Sequence, residues 1–222
     1  LMVARFGAQK LHALIVDHAL REGSAKDAER AQSFAQALGV SAEILTVSWP
    51  NGAKHSQAAA RAARYDTLCA RTRVLGARVI AAAHTADDQI ETVLMRAAAG
   101  SSWRGLAGMA VFAPPPVWPE GRGLCLARPF LEVRRAALRA NLRAQGGAWI
   151  EDPANANTAF ERVRVRARLA ALEASGADVL RLARIAARLR PHVDRLDTEA
   201  AALIDVAATF DGPIVSIDRA TW

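Results

Sequence analysis

With 222 residues, 52% of them hydrophobic, the chain is long enough to bury its own core, as one large domain or two smaller ones. No apolar run reaches the ~18 residues of a membrane span and the N-terminal residues lack a signal-peptide pattern, which favours a cytoplasmic protein. The net charge of +7 rests almost entirely on arginine. That charge indicates a polyanionic partner such as nucleic acid. The alternative is that codon composition alone produces a chain rich in Ala and Arg.

Strand and helix patterns alternate through the first third of the chain. Residues 11–18 (LHALIVDH) are a short apolar run of the length of a buried strand, and residues 23–39 carry apolar side chains at helical spacing. Ser24 is the expected N-cap of that helix and Gly39 its stop. Strand, helix and strand patterns follow in turn at 40–49, 56–76 and 77–84.

This alternation predicts an α/β fold, in which a parallel sheet is covered by helices on both faces. Ligands of such sheets bind beyond the carboxyl ends of the strands. Asp17, His18 and His84 stand at predicted strand ends. We therefore expect these three side chains to line a ligand site.

The second half of the chain predicts a different organisation. The proline-rich residues 112–123 indicate a surface loop, and strand and helix patterns follow at 124–133 and 134–147. From residue 159 onward the pattern is that of two or three helices, broken near Gly176 and Pro191. The expected organisation is therefore an α/β domain over residues 1–158, followed by a smaller helical module over residues 159–222.

The stretch AAAHTADDQIETVLMR (81–96) places three acids at a junction of strand and helix. Thr85 and Asp88 have the spacing of a capping box, and Asp87, Asp88 and Glu91 are spaced to share a helix face. Acids in a first helical turn ordinarily complement the helix dipole. Their position at the carboxyl edge of a parallel sheet favours a second role, which is to hold a cationic amine or a magnesium ion, or to accept a proton.

Arginines are grouped in two further stretches. Arg61 and Arg64 lie three residues apart on one helical face, where their guanidinium groups could reach phosphate or a nucleobase. A solvated face of an Arg-rich helix is the alternative. In ERVRVRAR (161–168) arginine recurs at every second position. The two cysteines, Cys69 and Cys125, lie far apart and predict neither a disulfide framework nor a metal site.

Six strings of the chain, taken in order, resemble those of bacterial tRNA(Ile)-lysidine synthetases. They are VDHALR (16–21), QAAARAARY (57–65), AHTADDQIETVLMR (83–96), GLAGM (105–109), RPFL (128–131) and WIEDPANAN (149–157). The resemblance covers roughly residues 11–168. That family belongs to the PP-loop ATP pyrophosphatases, whose adenine-nucleotide domain is a parallel α/β sheet.

The resemblance implies the ligation of free L-lysine to the wobble cytidine of an isoleucine tRNA, with ATP and Mg²⁺. ATP would first adenylate the carbonyl oxygen of the base. The side-chain amine of lysine would then attack the activated carbon and expel AMP, forming lysidine. This chemistry needs phosphate-binding amides and acids that hold the ammonium and accept its proton.

The resemblance also assigns roles to residues. Asp88 and Glu91 match the positions that hold lysine near the activated base, and Asp87 and His84 would line the same pocket. The expected tRNA or substrate contacts are Arg61, Arg64, Arg162 and Arg166, and the expected ATP contacts are Asp17 and His18. After the first arginine of the basic segment the family has Asn, where this chain has Val163. Asp152, Pro153 and Asn155 are expected to form a turn that orients this segment.

The chain departs from the family pattern at its start. The SGGxDS loop, whose backbone amides cradle the pyrophosphate, is expected before residue 11 and does not occur in the sequence. We therefore expect Leu1 to lie in the helix that follows that loop, this polypeptide alone to be nearly inactive, and residues 213–222 to begin a further segment. The sheet edges and the helical module are both surfaces through which a homodimer could form.

Two alternatives to the ligase remain. One is a non-catalytic α/β module that binds nucleic acid, in which the acids merely begin a helix. The other is a different PP-loop enzyme that modifies tRNA. A tRNA thiolase is disfavoured, because such enzymes need a pair of cysteines or a cluster that Cys69 and Cys125 do not provide.

Overall fold

The computed structural model describes residues 1–49, 56–147, 149–150, 161–211, 214–218 and 220. The helices are α1 (Met2–Phe6), α2 (Ser24–Ala37), α3 (Gln57–Val74), α4 (Ala86–Ala98), α5 (Trp103–Leu106), α6 (Arg135–Ala144), α7 (Glu161–Ala174) and α8 (Leu180–Ala207). The strands are β1 (His12–Asp17), β2 (Ser41–Thr46), β3 (Val79–Ala81), β4 (Phe112–Ala113), β5 (Cys125–Ala127), β6 (Ala208–Asp211) and β7 (Ile214–Ile217).

The chain divides into two compact units. The first contains Leu1–Ala82 and Phe112–Ala127, and the second contains Ala83–Val111 and Arg128–Trp222. These two units have other boundaries than the expected domains at 1–158 and 159–222, which stay a prediction.

Parallel strand pairs form the centre of the first unit and confirm the α/β class. Strand β1 pairs with β2 from His12 opposite Ser41 to Asp17 opposite Thr46, and β3 pairs in parallel with β5. Strand β4 adds an antiparallel edge to β5, within the proline-rich segment that the sequence predicts to be loop. In the described part of the chain these strands make two hydrogen-bonded sheets, where the sequence pattern predicts one.

The core of the first unit lies between α3 and the sheet of β3 and β5. Tyr65 and Cys69, four residues apart on α3, are buried against Ile80, Leu124 and Leu126. This four-residue spacing puts both buried side chains on one helical face, as expected for an amphipathic helix.

Two helix starts in the first unit differ in their caps. Ser56 caps α3, because its hydroxyl accepts a hydrogen bond from the Ala59 N–H at 3.1 Å. At α2 the expected cap, Ser24, is wrong: the N-cap is Gly23, whose φ of 81° is left-handed, and Ser24 is the first helical residue. Gly39 follows α2 at a φ of 74°, as its predicted role as a stop requires.

Helices α4, α7 and α8 pack together in the second unit. Their shared core contains Ile90, Val165, Leu169 and Val179. Gly176, at a φ of 89°, separates α7 from α8 as expected. The described residues contain no helix of the length and apolar character needed to cross a membrane.

The predicted break at Pro191 is wrong, because α8 continues through this residue. Proline has no N–H to donate to the carbonyl four residues earlier, which weakens a helix interior. Ala186 and Val193 on either side are buried, and this packing holds the flanking turns in place. After Ala207 the chain turns into the antiparallel hairpin of β6 and β7.

Candidate functional site

The first turn of α4 is organised by the predicted capping box. The Thr85 N–H and hydroxyl donate to Asp88 Oδ2 at 2.8 and 2.7 Å, and the Asp88 N–H donates to Thr85 Oγ1 at 3.4 Å. Hydrogen bonds within this first turn therefore hold both side chains in place. The second oxygen of Asp88 remains directed at neighbouring helices.

Asp87 joins α4 to the start of α6. Its Oδ1 accepts a hydrogen bond from Arg134 Nε at 3.0 Å, and its Oδ2 accepts one from the Arg135 backbone N–H at 2.7 Å. Arg134 also donates to Glu173 of α7 at 2.9 Å. The hydrogen bond to Glu173, and next the charges of Asp87 and Glu173, outweigh burial and raise the pKa of Arg134.

Glu91 is the most enclosed acid of the group, with 1% of its surface exposed. Arg166 Nε donates to its Oε1 at 2.6 Å, and Arg162 Nε lies 3.1 Å from its Oε2. Burial lowers the pKa of Arg166, but the hydrogen bond to Glu91 and the nearby carboxylates raise it further, so the net shift is upward. A buried carboxylate of this kind depends on such partners, because its charge has left water.

Asp88 directs its second oxygen at the same arginines. Oδ1 lies 3.2 Å from Arg135 Nη2 and 3.8 Å from Arg166 Nη2. Burial alone would raise the pKa of Asp88, but the hydrogen bonds from Thr85 and the charges of Arg135 and Arg162 lower it overall. Asp88 is therefore held as an anion, which suits contact with a cation better than acceptance of a proton.

A cleft of about 200 Å³ opens among these side chains. Its charged lining comes from α4, α6 and α7, and its apolar lining includes Ile90, Leu169 and Val179. The charged residues at its wall are Asp87, Glu91, Glu173, Arg134, Arg135 and Arg166. The cleft thus presents both signs of charge around an aliphatic surface.

The GLAGM string (105–109) is held against α4 by side chains of the helix. The Gln89 amide donates to the Met109 carbonyl at 3.0 Å and accepts from its N–H at 2.8 Å. Arg96 donates to the carbonyls of Gly105 and Gly108 at 2.9 and 3.0 Å. A Cβ on Gly108 would lie 2.7 Å from the Gln89 amide and would displace it, and the φ of 65° at this position also favours glycine. This string therefore supports α4 as scaffold.

Asp17 and His18 lie in the first unit, at the end of β1. Asp17 is buried, and its Oδ1 accepts a hydrogen bond from the Ala19 N–H at 2.9 Å. Arg64 approaches His18 Nε2 with Nε at 3.2 Å and Nη2 at 3.1 Å. Burial, and next the Arg64 charge, lower the pKa of His18 against the opposing effect of Asp17. The imidazole is thus kept neutral and accepts from Arg64.

Arg61 and Arg64 are both exposed on α3. The Arg61 guanidinium carbon lies 5.0 Å from the centroid of the Tyr65 ring, within cation–π distance. The expected phosphate contact of both guanidinium groups stays a prediction.

The predicted site residues fall into two sets, each within one unit. Asp88, Glu91, Arg162 and Arg166 form ion pairs with one another in the second unit, and Asp87 is linked to them through Arg135. His84 lies partly buried in the turn before α4. Asp17, His18, Arg61 and Arg64 lie in the first unit. The expected turn at Asp152, Pro153 and Asn155 lies outside the described residues.

The sequence interpretation missed Arg134, Arg135 and Glu173. Arg134 is the N-cap of α6 and Arg135 its first residue. Cations are unfavourable at a helix N-terminus, because the helix dipole is positive there. A pair of arginines at a predicted helix start therefore indicates acidic partners elsewhere, and that signal was present in the sequence.

A magnesium site fits the described residues poorly. The searched part of the chain holds no group of three His, Cys, Asp or Glu side chains placed to share a metal ion. Asp87, Asp88 and Glu91 are instead paired with arginine. Mg²⁺ often binds largely through substrate phosphates, so a magnesium ion would come with the nucleotide.

Comparison with known proteins identifies the family to which the chain belongs. A model of the PP-loop domain matches residues 2–173. The tRNA(Ile)-lysidine synthase of Hyphomonas neptunium is 47% identical over 156 residues, which are 70% of this chain and 42% of that protein. The synthase of Methylobacterium nodulans is 42% identical over 208 residues, covering 91% of this chain and 60% of the relative.

The chain spans about half the length of the curated relatives it matches. Among solved structures, a U34-tRNA thiolase of Methanococcus maripaludis with a 4Fe-4S cluster superposes with a TM-score of 0.62. It is 14% identical, and the match covers 84% of this chain and 62% of that one. At this identity the likeness concerns the fold alone.

Proposed function

Because the chain belongs to the PP-loop domain family, we propose that it carries the lysine-binding part of an enzyme that ligates free lysine to the wobble cytidine of an isoleucine tRNA. The relatives named tRNA(Ile)-lysidine synthase support this choice within the family. The cleft on α4 is the observation that carries the proposal.

The size and lining of the cleft suit one amino acid. A volume of about 200 Å³ is below the ~300–1,000 Å³ of pockets for drug-sized ligands. Its aliphatic wall of Ile90, Leu169 and Val179 matches the methylene stem of lysine. Carboxylates on α4 suit an ammonium group, and arginines on α6 and α7 suit a carboxylate.

Charge balance within the cleft determines how lysine would bind. Every acid of α4 already has a guanidinium partner, so an incoming ammonium must take the place of one of them. Glu91 shares its two oxygens between Arg162 and Arg166. We expect the ammonium to replace one of these contacts, which releases that arginine toward the phosphates of the tRNA.

The reaction has two steps. The carbonyl oxygen of cytidine attacks the α-phosphate of ATP and pyrophosphate leaves. The bound ammonium of lysine then gives one proton to solvent water, the neutral amine attacks the activated carbon, and AMP leaves. Asp88 stays ionised and anchors the ammonium before reaction. Arg61 and Arg64 are the expected contacts to phosphate, and the turn of Asp17 and His18 is the expected contact to ATP.

A thiolase is disfavoured by the state of the cysteines. Cys69 is fully buried, and burial raises the pKa of its thiol. Cys125 is the second of the two cysteines in the chain. Sulfur transfer requires a reactive thiolate or a cluster, and the buried thiol of Cys69 suits neither.

The test is ATP-dependent incorporation of labelled lysine into an isoleucine tRNA, with AMP release measured in parallel. We expect incorporation by the full-length protein, and a KM for lysine at least about tenfold higher in Asp88→Asn. The control is Asp205→Asn, an exposed acid of α8. Unchanged KM in Asp88→Asn would refute the lysine site. Binding of tRNA without AMP release would favour the non-catalytic module.

A further inference from the structure

The cleft on α4 has an enclosed end and an open end. At the enclosed end, Arg166 Nε donates to the buried Glu91 at 2.6 Å. At the open end, Arg134 Nη1 donates to Glu173 Oε1 at 2.9 Å, and 30% and 40% of these two side chains are exposed. All four residues line the same cleft. A ligand that fills the cleft therefore meets one pair of opposite charges inside and a second pair, Arg134 and Glu173, at the rim.

Helix α7 sets the spacing between the two ends. Arg166 and Glu173 are seven residues apart, which places them on one helical face about 10.5 Å apart along the axis. Leu169 and Ala170 lie between them on that face and line the cleft. An extended lysine side chain spans about 6 Å from Nζ to Cα, given C–C bonds of about 1.5 Å. The order of charge, aliphatic surface and charge along α7 thus matches a whole lysine molecule.

The rim pair of Arg134 and Glu173 lies where the helix dipoles oppose it. Arg134 is the N-cap of α6, and Glu173 lies in the last turn of α7. A cation is unfavourable at the first of these positions, and an anion is unfavourable at the second. A partly exposed ion pair contributes little to stability. The stability of the two helices therefore gives little reason for this pair of charges.

Each member of the rim pair keeps a polar atom for a ligand. Arg134 donates through Nε to Asp87 and through Nη1 to Glu173, and its Nη2 has no hydrogen-bonding partner among the described residues. Glu173 accepts through Oε1, and within the same part of the chain its Oε2 accepts from no donor. The contact with Asp87 orients the guanidinium group from α4. The rim thus offers a charged donor and a charged acceptor side by side.

We propose that Arg134 and Glu173 are specificity-determining residues, of which Arg134 binds the α-carboxylate of lysine and Glu173 binds its α-ammonium. The two charges of an α-amino acid are joined through one carbon atom, so a neighbouring cation and anion are complementary to them. Lysine as the ligand of the cleft rests on the proposed function. What the rim adds is the selection of an amino acid over a simple amine.

Three ligands separate the two roles. Lysine carries both charges at its head, cadaverine lacks the α-carboxylate, and 6-aminohexanoate lacks the α-ammonium. Isothermal titration calorimetry of the full-length protein measures the Kd of each ligand in the wild type, Arg134→Gln and Glu173→Gln. The matched controls are Arg195→Gln and Glu199→Gln, which alter an exposed ion pair on α8. Incorporation of labelled lysine into an isoleucine tRNA is measured in parallel.

We expect the wild type to bind each analogue about fivefold or more weakly than lysine, because each analogue lacks one charge-assisted contact. Arg134→Gln should weaken binding of lysine and 6-aminohexanoate to a similar degree, but not binding of cadaverine. Glu173→Gln should weaken binding of lysine and cadaverine, but not binding of 6-aminohexanoate. The ligand that each variant still binds shows that its cleft is folded. Both α8 controls should bind all three ligands like the wild type.

A variant that weakens binding of all three ligands equally would overturn the proposal, because the rim pair would then only support the cleft. A wild type that binds the three ligands equally, or does not bind lysine, would overturn it as well. Incorporation of lysine without discrimination among the ligands would contradict the rim assignment alone. The crossed pattern of losses without incorporation into tRNA would support the rim assignment and contradict the proposed function alone.

Discussion

The two groups of candidate site residues hold charge in different ways. In the second unit, Glu91 is 1% exposed and lies between two guanidinium groups, so its charge is enclosed. In the first unit, exposed Arg64 contacts a neutral imidazole and exposed Arg61 contacts an aromatic ring. Enclosed charges contribute to folding as well as to binding, whereas exposed ones mainly affect binding.

The largest effect is expected at Glu91. Glu91→Gln removes the charge that Arg162 and Arg166 neutralise and should lower the free energy of unfolding by about 2–3 kcal/mol, less than a fully buried pair, because both arginines are partly exposed. Urea unfolding measures this difference. Glu199→Gln is the control, since Glu199 forms an exposed pair with Arg195 on α8 and should change stability by less than about 0.5 kcal/mol.

A double-mutant cycle with Arg166→Gln sharpens this comparison. If Glu91 and Arg166 stabilise each other, the loss of unfolding free energy in the double variant should differ by about 1 kcal/mol or more from the sum of the losses in the two single variants. Additive effects, or equal stability of Glu91→Gln and Glu199→Gln, would contradict the view that the cluster supports the fold.

An intermediate effect is expected at Asp88 in acid. Its folded-state pKa lies below the unfolded value of about 3.9, so between these values the unfolded chain binds more protons. The resulting stability is present above about pH 4 and is lost as the pH falls through the folded pKa. Asp88→Asn should flatten this acid slope, measured by urea unfolding from pH 5 downward, and Asp205→Asn should leave the slope unchanged.

The smallest effect on stability is expected at Arg64. Arg64→Gln should change the unfolding free energy by less than about 0.5 kcal/mol, because this residue is exposed. It should raise the pKa of His18 by removing a nearby positive charge, which an NMR titration of the imidazole measures. The control is Arg61→Gln, which removes the contact to Tyr65 and should leave the pKa of His18 as in the wild type.

The lowered pKa of His18 also affects how the stability of the protein depends on pH. Because the folded pKa is lowered, the unfolded state binds more protons as the pH falls below about 6.5, and the wild type loses stability there. The Arg64→Gln variant should lose less stability over the same pH range. A larger loss in the variant would show that Arg64 does not act on His18 through its charge.

Local sequence patterns predicted the elements well where the determining contacts are close in the chain. Thr85 and Asp88 are three residues apart, and the predicted capping box is confirmed. Pro191 shows the limit of such reasoning, because burial of Ala186 and Val193 keeps α8 continuous despite the missing N–H. Ser24 shows a second limit, since Gly23 can adopt a left-handed conformation and takes the cap instead.

The sequence by itself determined the α/β class, the helix that begins at Thr85, and the set of acids on that helix, because helical and strand periodicities act over a few residues. Only the tertiary structure decided which cations those acids contact. Arg166 is 75 residues from Glu91 and Arg134 is 47 from Asp87, so their pairing depends on how α6 and α7 pack against α4. Burial at that contact encloses Glu91, which is 1% exposed, between the guanidinium groups of Arg162 and Arg166.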